Sequence, residues 1–300
     1  MASPQRLAHS APVNRSRAVV LIPLLLSGCL TSQCPERAGV DVLVIAPHPD
    51  DEVLLAGGVM ARAIEQGRRV AVIIVTNGDY SCERDGYLRE AESIAALKVL
   101  GVKESDVHFL GYPDGALSKL TDDGPLSPME HRDEVGQCVA RTGTYADRAA
   151  GRLDEHTRRT GSPGEWTMEN LTGDLAALLT QLQPRDVYLP HKLDDHPDHS
   201  MTYVYFRRAL ERVANKPTTV HRGVVHAGEC WPSDCVKYFT PTLPTPPLVR
   251  ALAGEVPSER VPIDPILKLS AIQKYRSQLS PWLTSFARAD EIFFPETGQR

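Results

Sequence analysis

One histidine and three carboxylates stand together in the segment His48-Pro49-Asp50-Asp51-Glu52. The run before them, residues 42–45, is short, apolar and rich in β-branched side chains, which predicts a fully buried parallel strand. The run after them, residues 53–64, predicts a helix. Open α/β sheets bind ligands outside the carboxyl ends of their strands, and a packed core does not tolerate unpaired charges. These residues are therefore predicted to lie in an active site.

A second polar cluster supports this interpretation. Residues 191–199 include His196, Asp198 and His199, and they follow a predicted strand at 186–190. The segment after them, 201–210, has helical character. Parallel strands joined by right-handed crossovers end at the same edge of a sheet, so the two clusters are expected to meet there.

The residue types in the two clusters favour a zinc-type metal site. Neutral imidazole and carboxylate together suit zinc or a neighbouring transition metal, whereas Mg²⁺ and Ca²⁺ prefer oxygen ligands alone. Catalytic zinc takes three protein ligands and one water, and it lowers the pKa of that water to about 7. His48, His199 and either Asp50 or Asp51 would supply the three ligands. The remaining aspartate would accept the proton of the water, which describes metal-assisted hydrolysis.

The two motifs resemble those of the PIG-L (LmbE-like) deacetylases, a family of zinc-dependent enzymes that remove an acyl group, usually acetyl, from the nitrogen of N-acetylglucosaminyl compounds. The similarity runs from about Val42 to about Phe294 and is strongest at the two clusters. Weaker similarities lie elsewhere in the chain, at 76–78, Arg89, Glu92, 111–115, 275–278 and 291–293. One motif alone would be moderate support, whereas the pair in this order is specific.

The resemblance assigns roles to individual residues. It implies three zinc ligands, which are His48, Asp51 and His199; Fe²⁺ suits the same ligands. It implies that Asp50 is the general base, and that His196 stabilises the oxyanion and protonates the leaving amine. Asp198 would orient His196, and Arg89 would contact the substrate.

Structural explanations exist for the same residues. Asp50 and Asp51 could cap the following helix, because carboxylates favour its exposed N–H groups. Residues 194–199 could form a solvated loop, and His226, in a strand-like run, is interpreted as a core histidine. Capping is expected of one aspartate, but it leaves His48 and the second cluster unexplained.

The order of the predicted elements indicates an α/β fold, a Rossmann-like, mostly parallel sheet flanked by helices. Further strands are predicted at 69–76 and 106–110, and further helices at 87–100 and 168–182. Between 116 and 166 the chain is polar and rich in glycine. So long a segment is uncommon in a compact domain unless it is functional, so a loop insertion over the pocket is predicted, with a surface excursion as the alternative.

The amino-terminal segment predicts export. Arg15 and Arg17 precede a short apolar run at 18–26, and Leu26-Ser27-Gly28-Cys29 resembles a bacterial lipobox. Residues 1–28 are therefore predicted to be a lipoprotein signal peptide, 29–40 a tether and 41–300 the deacetylase domain. Cys29 would carry a lipid anchor at the bacterial cell envelope; the alternative is a secreted protein with a plain cleaved signal.

The cysteines agree with an oxidising compartment. None of the six has zinc-finger spacing, and four could form the pairs Cys82–Cys138 and Cys230–Cys235. The net charge of −5 and the absence of a Lys/Arg-rich run argue against nucleic-acid binding.

The preferred function is a zinc-dependent hydrolase that removes an N-acyl group from a small amino-sugar or cell-envelope saccharide. A non-catalytic metal- or carbohydrate-binding lipoprotein is one alternative, but it would not need the base Asp50. Hydrolysis of another amide or of an ester is the other. The oligomeric state is left open.

Overall fold

The described residues of the computed structural model form a seven-stranded sheet with helices on both faces. The described ranges are 39–126, 141–228, 231–232, 240–247, 249 and 258–297. The strands are β1 (Val42–Ala46), β2 (Val70–Thr76), β3 (Val107–Tyr112), β4 (Asp186–Pro190), β5 (Thr219–Gly223), β6 (Glu259–Pro262) and β7 (Asp290–Thr297). The helices are α1 (Asp51–Glu65), α2 (Glu83–Val99), α3 (Glu155–Thr160), α4 (Met168–Leu182), α5 (Pro197–Glu211), α6 (Pro265–Ile272) and α7 (Pro281–Thr284).

The strand order is β3-β2-β1-β4-β5-β7-β6. The first five strands are parallel, and β7 pairs antiparallel with both β5 and β6. The predicted Rossmann-like, mostly parallel sheet is therefore confirmed. Its chain order reverses at β1, whose neighbours are β2 and β4, and this is the position where open sheets leave a crevice for ligands.

Strand β1 is buried on both faces because all five of its residues are apolar. Val42, Val44 and Ala46 face one hydrophobic cluster, and Leu43 and Ile45 face the other. Such continuous burial is expected of a central parallel strand covered by helices on both sides.

Helix α4 has the predicted bounds, whereas α1, α2 and α5 begin two to four residues earlier than their apolar residues suggested. Helix α5 begins at Pro197 instead of 201, with His196 at its N-cap, and α2 begins at Glu83 instead of 87. Proline favours the first position of a helix, and acidic residues favour the first turn. Polar first turns carry no apolar periodicity, so pattern alone placed these starts too late.

The described parts of the segment between 116 and 166 pack against the domain instead of forming a surface excursion. They contain α3 and bury Tyr145 and Trp166. The amide of Asn77 donates to the backbone carbonyl of Tyr145 at 2.8 Å, which places this part of the segment beside the residues that follow β2. Residues 127–140 lie outside the described residues, so a covering role over the pocket stays a prediction.

The described residues all belong to one compact unit. The predicted signal peptide and Cys29, the predicted site of the lipid anchor, lie outside the described residues, as does all but the end of the predicted tether. In the described part of the chain, no helix combines the length and apolarity that crossing a membrane requires. Cys82 is disulfide-bonded, whereas the other five cysteines lie outside the described residues, so the pairing with Cys138 stays a prediction.

Candidate active site

The two polar clusters meet at the carboxyl edge of the sheet. Strand β1 ends at Ala46 and β4 at Pro190, and these strands are neighbours, so the segments that follow them converge. The ring centroid of His48 lies 4.8 Å from that of His196 and 5.2 Å from that of His199. The convergence expected from the sequence is therefore present.

Asp51 lies between the two histidines that were predicted to be metal ligands. Its Oδ2 atom is 2.9 Å from Nδ1 of His48 and 3.0 Å from Nε2 of His199. Zinc bond lengths of about 2.0–2.1 Å in a tetrahedron place ligand atoms about 3.3 Å apart, close to both separations. Both ring nitrogens of His199 are buried, and neither makes a hydrogen bond of acceptable geometry within the described structure, despite its short distances to carboxylates. The donor set therefore fits a metal ion.

The electrostatic environment favours a cation. Five aspartates around the site are each at least nine-tenths buried, namely Asp50, Asp51, Asp114, Asp194 and Asp198. Burial opposes protonation of His199, but Asp194 and Asp51 outweigh it and raise its pKa to about 10. For His48 as well, burial is outweighed by Asp114 and its neighbours, and the pKa lies well above its usual value. Carboxylates that stabilise positive charge on either ring would also stabilise a bound metal ion.

Several overlapping sets of side chains could hold an ion. In each set found among the described residues, the possible ligand atoms lie within 4.8 Å of one another; the sets are His48–His196–His199, Asp51–His199–His226 and His48–Asp114–Asp198. The predicted ligands His48, Asp51 and His199 are spread over these sets, and Asp51 is the residue that touches both of the others.

Carboxylates also face the ring nitrogens of His48 and His199 that point away from Asp51, which we call the outer nitrogens. Nε2 of His48 is 3.1 Å from Asp114 and 3.3 Å from Asp198, and Nδ1 of His199 is 3.3 Å from Asp194. Such partners fix the orientation and tautomer of ligating histidines and raise their basicity. The inner nitrogens, Nδ1 of His48 and Nε2 of His199, are the ones that face Asp51.

Asp198 was predicted to orient His196, but the structure places its carboxylate elsewhere. The two carboxylate oxygens accept hydrogen bonds from the backbone N–H groups of Gly115 (2.7 Å) and Leu117 (3.1 Å), and one of them faces His48. Only the backbone N–H of Asp198 meets His196, at Nδ1. In the first turn of α5 the side chain points away from the N-cap residue, toward the loop after β3.

Asp50 is buried beside Asp51, on the side of the site that carries Arg89. Burial, followed by the charge of Asp51, raises its pKa to about 8, although Arg89 and His48 oppose the rise. A guanidinium nitrogen of Arg89 lies 3.5 Å from the Asp50 carboxylate, and the same atom donates to the carbonyl of Pro49 at 3.1 Å. Arg89 therefore contacts the predicted base, while a contact to substrate stays a prediction.

His196 is half-buried and keeps one N–H available. Its Nδ1 accepts the N–H of Asp198 at 3.2 Å, so in the neutral ring the proton is on Nε2. Burial, followed by the nearby rings of His48 and His199, lowers its pKa. At neutral pH the ring is therefore an uncharged hydrogen-bond donor at the edge of the site.

Three residues at the site received no role from the sequence: Asp114, Asp194 and His226. Asp194 accepts the backbone N–H groups of Val225 and His226 in addition to facing His199. His226, interpreted above as a core histidine, lies with its ring 4.8 Å from that of His199 and stacks on Trp282. It follows the carboxyl end of β5, so the rule that located the first two clusters could have located it as well.

The fold and the site together define an α/β protein with a His/Asp centre at the switch point of its sheet. The model of the PIG-L family, described as GlcNAc-PI de-N-acetylase, matches residues 43–210. This match covers more than half of the chain, and the chain belongs to this family.

Two curated relatives show the range of similarity. The chain is 29% identical over 188 residues to a 1D-myo-inositol 2-acetamido-2-deoxy-alpha-D-glucopyranoside deacetylase from Mycobacterium sp. (strain KMS), a match that covers 57% of this chain and 50% of the relative. It is 35% identical over 135 residues to the uncharacterized deacetylase YaiS from Escherichia coli (strain K12), over 44% of this chain and 69% of that protein. The chain thus spans about half the length of the first of these relatives.

A solved structure shares the fold at low sequence identity. The N,N'-diacetylchitobiose deacetylase from Pyrococcus horikoshii, solved with an inhibitor, superposes with a TM-score of 0.50 at 19% identity, covering 88% of this chain and 86% of that one. At this identity the likeness supports the α/β fold alone.

Proposed function

We propose that this protein is a zinc-dependent N-deacetylase that removes an acyl group, acetyl in the first instance, from an N-acetylglucosamine-containing or related amino-sugar. The observation that carries the proposal is the position of Asp51, between His48 and His199 and beside Asp50 and His196. Membership of the PIG-L family and the deacetylase names of its relatives support the same activity.

The residues that would hold the metal are His48, Asp51 and His199. Zinc bound there would supply an acidic water at neutral pH and would polarise the acyl carbonyl. Fe²⁺ suits the same ligands, so the identity of the metal is itself proposed, with zinc as the preferred ion. Asp114, Asp198 and Asp194 would hold the two imidazoles in place through their outer nitrogens.

The protein's own groups would handle the protons. Asp50 lies next to Asp51 and would accept the proton of the attacking water. Burial and Asp51 raise its pKa to about 8, so the positive charge of the bound metal, added to that of Arg89 and His48, would favour the ionised form that a base requires. His196 would donate a hydrogen bond through Nε2 to the oxyanion, because Nδ1 is already occupied by the Asp198 N–H. The proton that Asp50 takes from the water would balance the proton that the departing amine gains, so that the neutral His196 ring is not left as an anion. A positioned acid or base contributes about 10²- to 10⁴-fold in rate.

The decisive experiment measures amine release. The protein would be stripped of metal, reloaded with zinc and incubated with N-acetylglucosaminides and cell-wall fragments, with Asp50→Asn as the matched control. We expect zinc-dependent release of primary amine that falls about 10²-fold or more in the variant while zinc stays bound. If the zinc-loaded protein cleaves other amides or esters but releases no amine from these substrates, its function is hydrolysis of a different bond. Zinc binding with no hydrolysis would favour a binding protein.

We further propose that the protein is exported and anchored to the cell envelope by lipid on Cys29, on the strength of the sequence at 18–29. Such a location would favour saccharides of the envelope as substrates. Labelled fatty acid should enter the wild-type protein and not Cys29→Ala, and that variant should move from the membrane to the soluble fraction. A wild-type protein that takes up no labelled fatty acid would contradict the proposed lipid anchor.

A further inference from the structure

The backbone of Asp50 adopts a conformation that residues with a side chain rarely take. Its φ is 133° and its ψ is −36°, and among the described non-glycine residues only Gln183 shares a positive φ. A residue with a Cβ atom is strained there, and such strain persists only where the surroundings enforce it. Strain at the predicted base raises the question of what holds it in place.

Both polar groups of the Pro49–Asp50 peptide unit are held by side chains. The N–H of Asp50 donates to Oε2 of Glu52 at 2.9 Å. The carbonyl of Pro49 accepts from Arg89 at 3.1 Å and from Nε2 of Gln278 at 3.3 Å. The plane of this peptide is therefore set from both sides, and rotating it would break all three hydrogen bonds.

The carboxylate that holds the N–H is itself fixed from a distant part of the chain. Oε1 of Glu52 accepts the hydroxyl of Tyr275 at 2.6 Å, and both side chains are completely buried. Tyr275 and Gln278 follow α6 and are more than 220 residues from Pro49, so these contacts are not local turn chemistry.

The other side of Asp50 is fixed by the start of α1. Its carbonyl accepts the N–H groups of Val53 and Leu54, both at 3.0 Å. With one peptide unit held by the helix and the other by side chains, the direction of the Asp50 Cα–Cβ bond has little freedom. The carboxylate is thereby held beside Asp51 and Arg89.

We propose that Glu52, Tyr275 and Gln278 are positioning residues that clamp the Pro49–Asp50 peptide and thereby aim the Asp50 carboxylate at the reacting atoms. The inference rests on the proposed role of Asp50 as general base, and it adds a physical reason for the glutamate of the first motif. Small displacements of a catalytic group cost large factors in rate, up to about 10²-fold for about 1 Å.

The strain can be tested without any activity. Urea unfolding of Asp50→Gly and Asp50→Ala, both in the presence of a chelator, compares a residue that tolerates this φ with one that does not. We expect Asp50→Gly to unfold at the higher urea concentration. An N-cap with ordinary backbone angles also favours glycine over alanine, so the same two substitutions at Thr167, the N-cap of α4 with a φ of −122°, measure that ordinary preference. A glycine advantage at Asp50 that is no larger than the advantage at Thr167 would overturn the clamp.

The positioning role is tested by separating kcat from KM. Gln278→Ala and Tyr275→Phe should lower kcat about 10- to 100-fold with KM and zinc affinity unchanged. Ser277→Ala is the matched control, because Ser277 bonds to Glu92 at 2.6 Å and does not touch the peptide. Its kcat should stay within about twofold of wild type.

The outcomes separate the clamp from the proposed function. An active wild type whose Gln278→Ala variant keeps full kcat would overturn the clamp and leave the deacetylase standing. An inactive wild type would count against the proposed function, whereas the comparison of Asp50→Gly with Asp50→Ala would still decide whether the peptide is held under strain. If Tyr275→Phe does not fold, the half-buried Gln278 carries the kinetic test alone.

Discussion

The two nitrogens of His48 face different carboxylates, and this division defines how the side chain can act. Nδ1 faces Asp51, whereas Nε2 faces Asp114 and Asp198. A proton on Nε2 would satisfy the two outer carboxylates and leave the Nδ1 lone pair for a metal ion. Asp198 thus lies with the proposed metal ligand His48 in the structure, although the family resemblance assigns it to His196.

This difference leads to a prediction for Asp198→Asn. Because the carboxylate faces His48 and accepts two backbone N–H groups, we expect zinc affinity to fall about 10- to 100-fold and the protein to lose about 1–3 kcal/mol of stability. Zinc affinity would be measured by competition with a chelator and stability by urea unfolding. Unchanged zinc affinity with a lower kcat would instead support the original assignment of Asp198 to His196.

At the scale of elements, α1 is broken where two distant segments contact it. Ala56 has non-helical angles, with φ −139° and ψ 23°. The N–H groups of Gly58 and Val59 donate to the carboxylate of Glu291, and Nζ of Lys268 donates to the carbonyl of Leu54 and to Glu291. A buried ion pair thus satisfies the backbone groups at the break. The break separates the first turn, which carries Asp51, from the rest of the helix.

Lys268→Met should therefore be strongly destabilising. The substitution keeps an unbranched side chain that is one atom shorter and uncharged, so it leaves the buried Glu291 carboxylate without its cation, which costs about 3–5 kcal/mol. Lys274→Met, an exposed lysine shortly after α6, should stay within about 0.5 kcal/mol of wild type. The measurement is the free energy of unfolding in urea. Similar losses in both variants would show that the buried pair has no special role.

A second element-scale contact joins α2 to the segment after Tyr145. One carboxylate oxygen of Glu90 accepts from the N–H of Asp147 at 3.0 Å and from Arg152 at 3.2 Å, while the other is buried without a partner among the described residues. Burial raises the pKa of Glu90 to about 7, although those donors oppose the rise. Its ionised form is therefore partly unsatisfied in the folded protein.

The sign of the resulting pH dependence follows from linkage. The pKa of Glu90 is higher in the folded state, about 7, than its ordinary value of 4.5, so between these pH values the folded state binds more protons and stability falls as pH rises. Glu90→Gln should remove this decline, which amounts to about 3 kcal/mol at most. Unfolding free energies from pH 4.5 to 7.5 would measure it.

The control for this prediction is Glu104→Gln. Glu104 contacts the same Arg152 at 3.2 Å but is an exposed residue. Its substitution should leave a pH profile parallel to that of wild type. A Glu90→Gln profile that is also parallel to wild type would mean that Glu90 ionises in the folded protein as it does in the unfolded chain.

At the scale of the whole molecule, the site joins β1, β4 and β5 with the segments that follow α6 and β3. A metal ion at the site should therefore stabilise the entire domain. Zinc at a concentration of about 100 times its Kd should add about 2.7 kcal/mol to the free energy of unfolding. For a domain of this size, that gain raises Tm by about 5–10 °C. His199→Ala should abolish the shift in a thermal scan. An equal shift in the variant would place the bound zinc elsewhere.

The sequence predicted the strands that are largely apolar runs, but it did not predict β5, β6 and β7, which carry polar and charged residues. Residues 42–45, 69–76 and 186–190 became β1, β2 and β4 with changes of one residue at most. The order of motifs on a parallel sheet was then enough to bring His48 and His199 to one edge. Helix starts were less accurate, because caps such as His196 and Pro197 depend on hydrogen bonds that periodicity does not record.

The sequence by itself determined the residue types of the candidate site, the edge of the sheet that carries them and the family resemblance, because these depend on residue order and on the geometry of parallel strands. Only the tertiary structure decided that Asp198 faces His48, that His226 joins the site, and that Tyr275 and Gln278 reach the Pro49–Asp50 peptide. These contacts join residues far apart in the chain. No local pattern specifies the direction in which each side chain points, and that direction is settled by packing and by the need to pair buried polar groups.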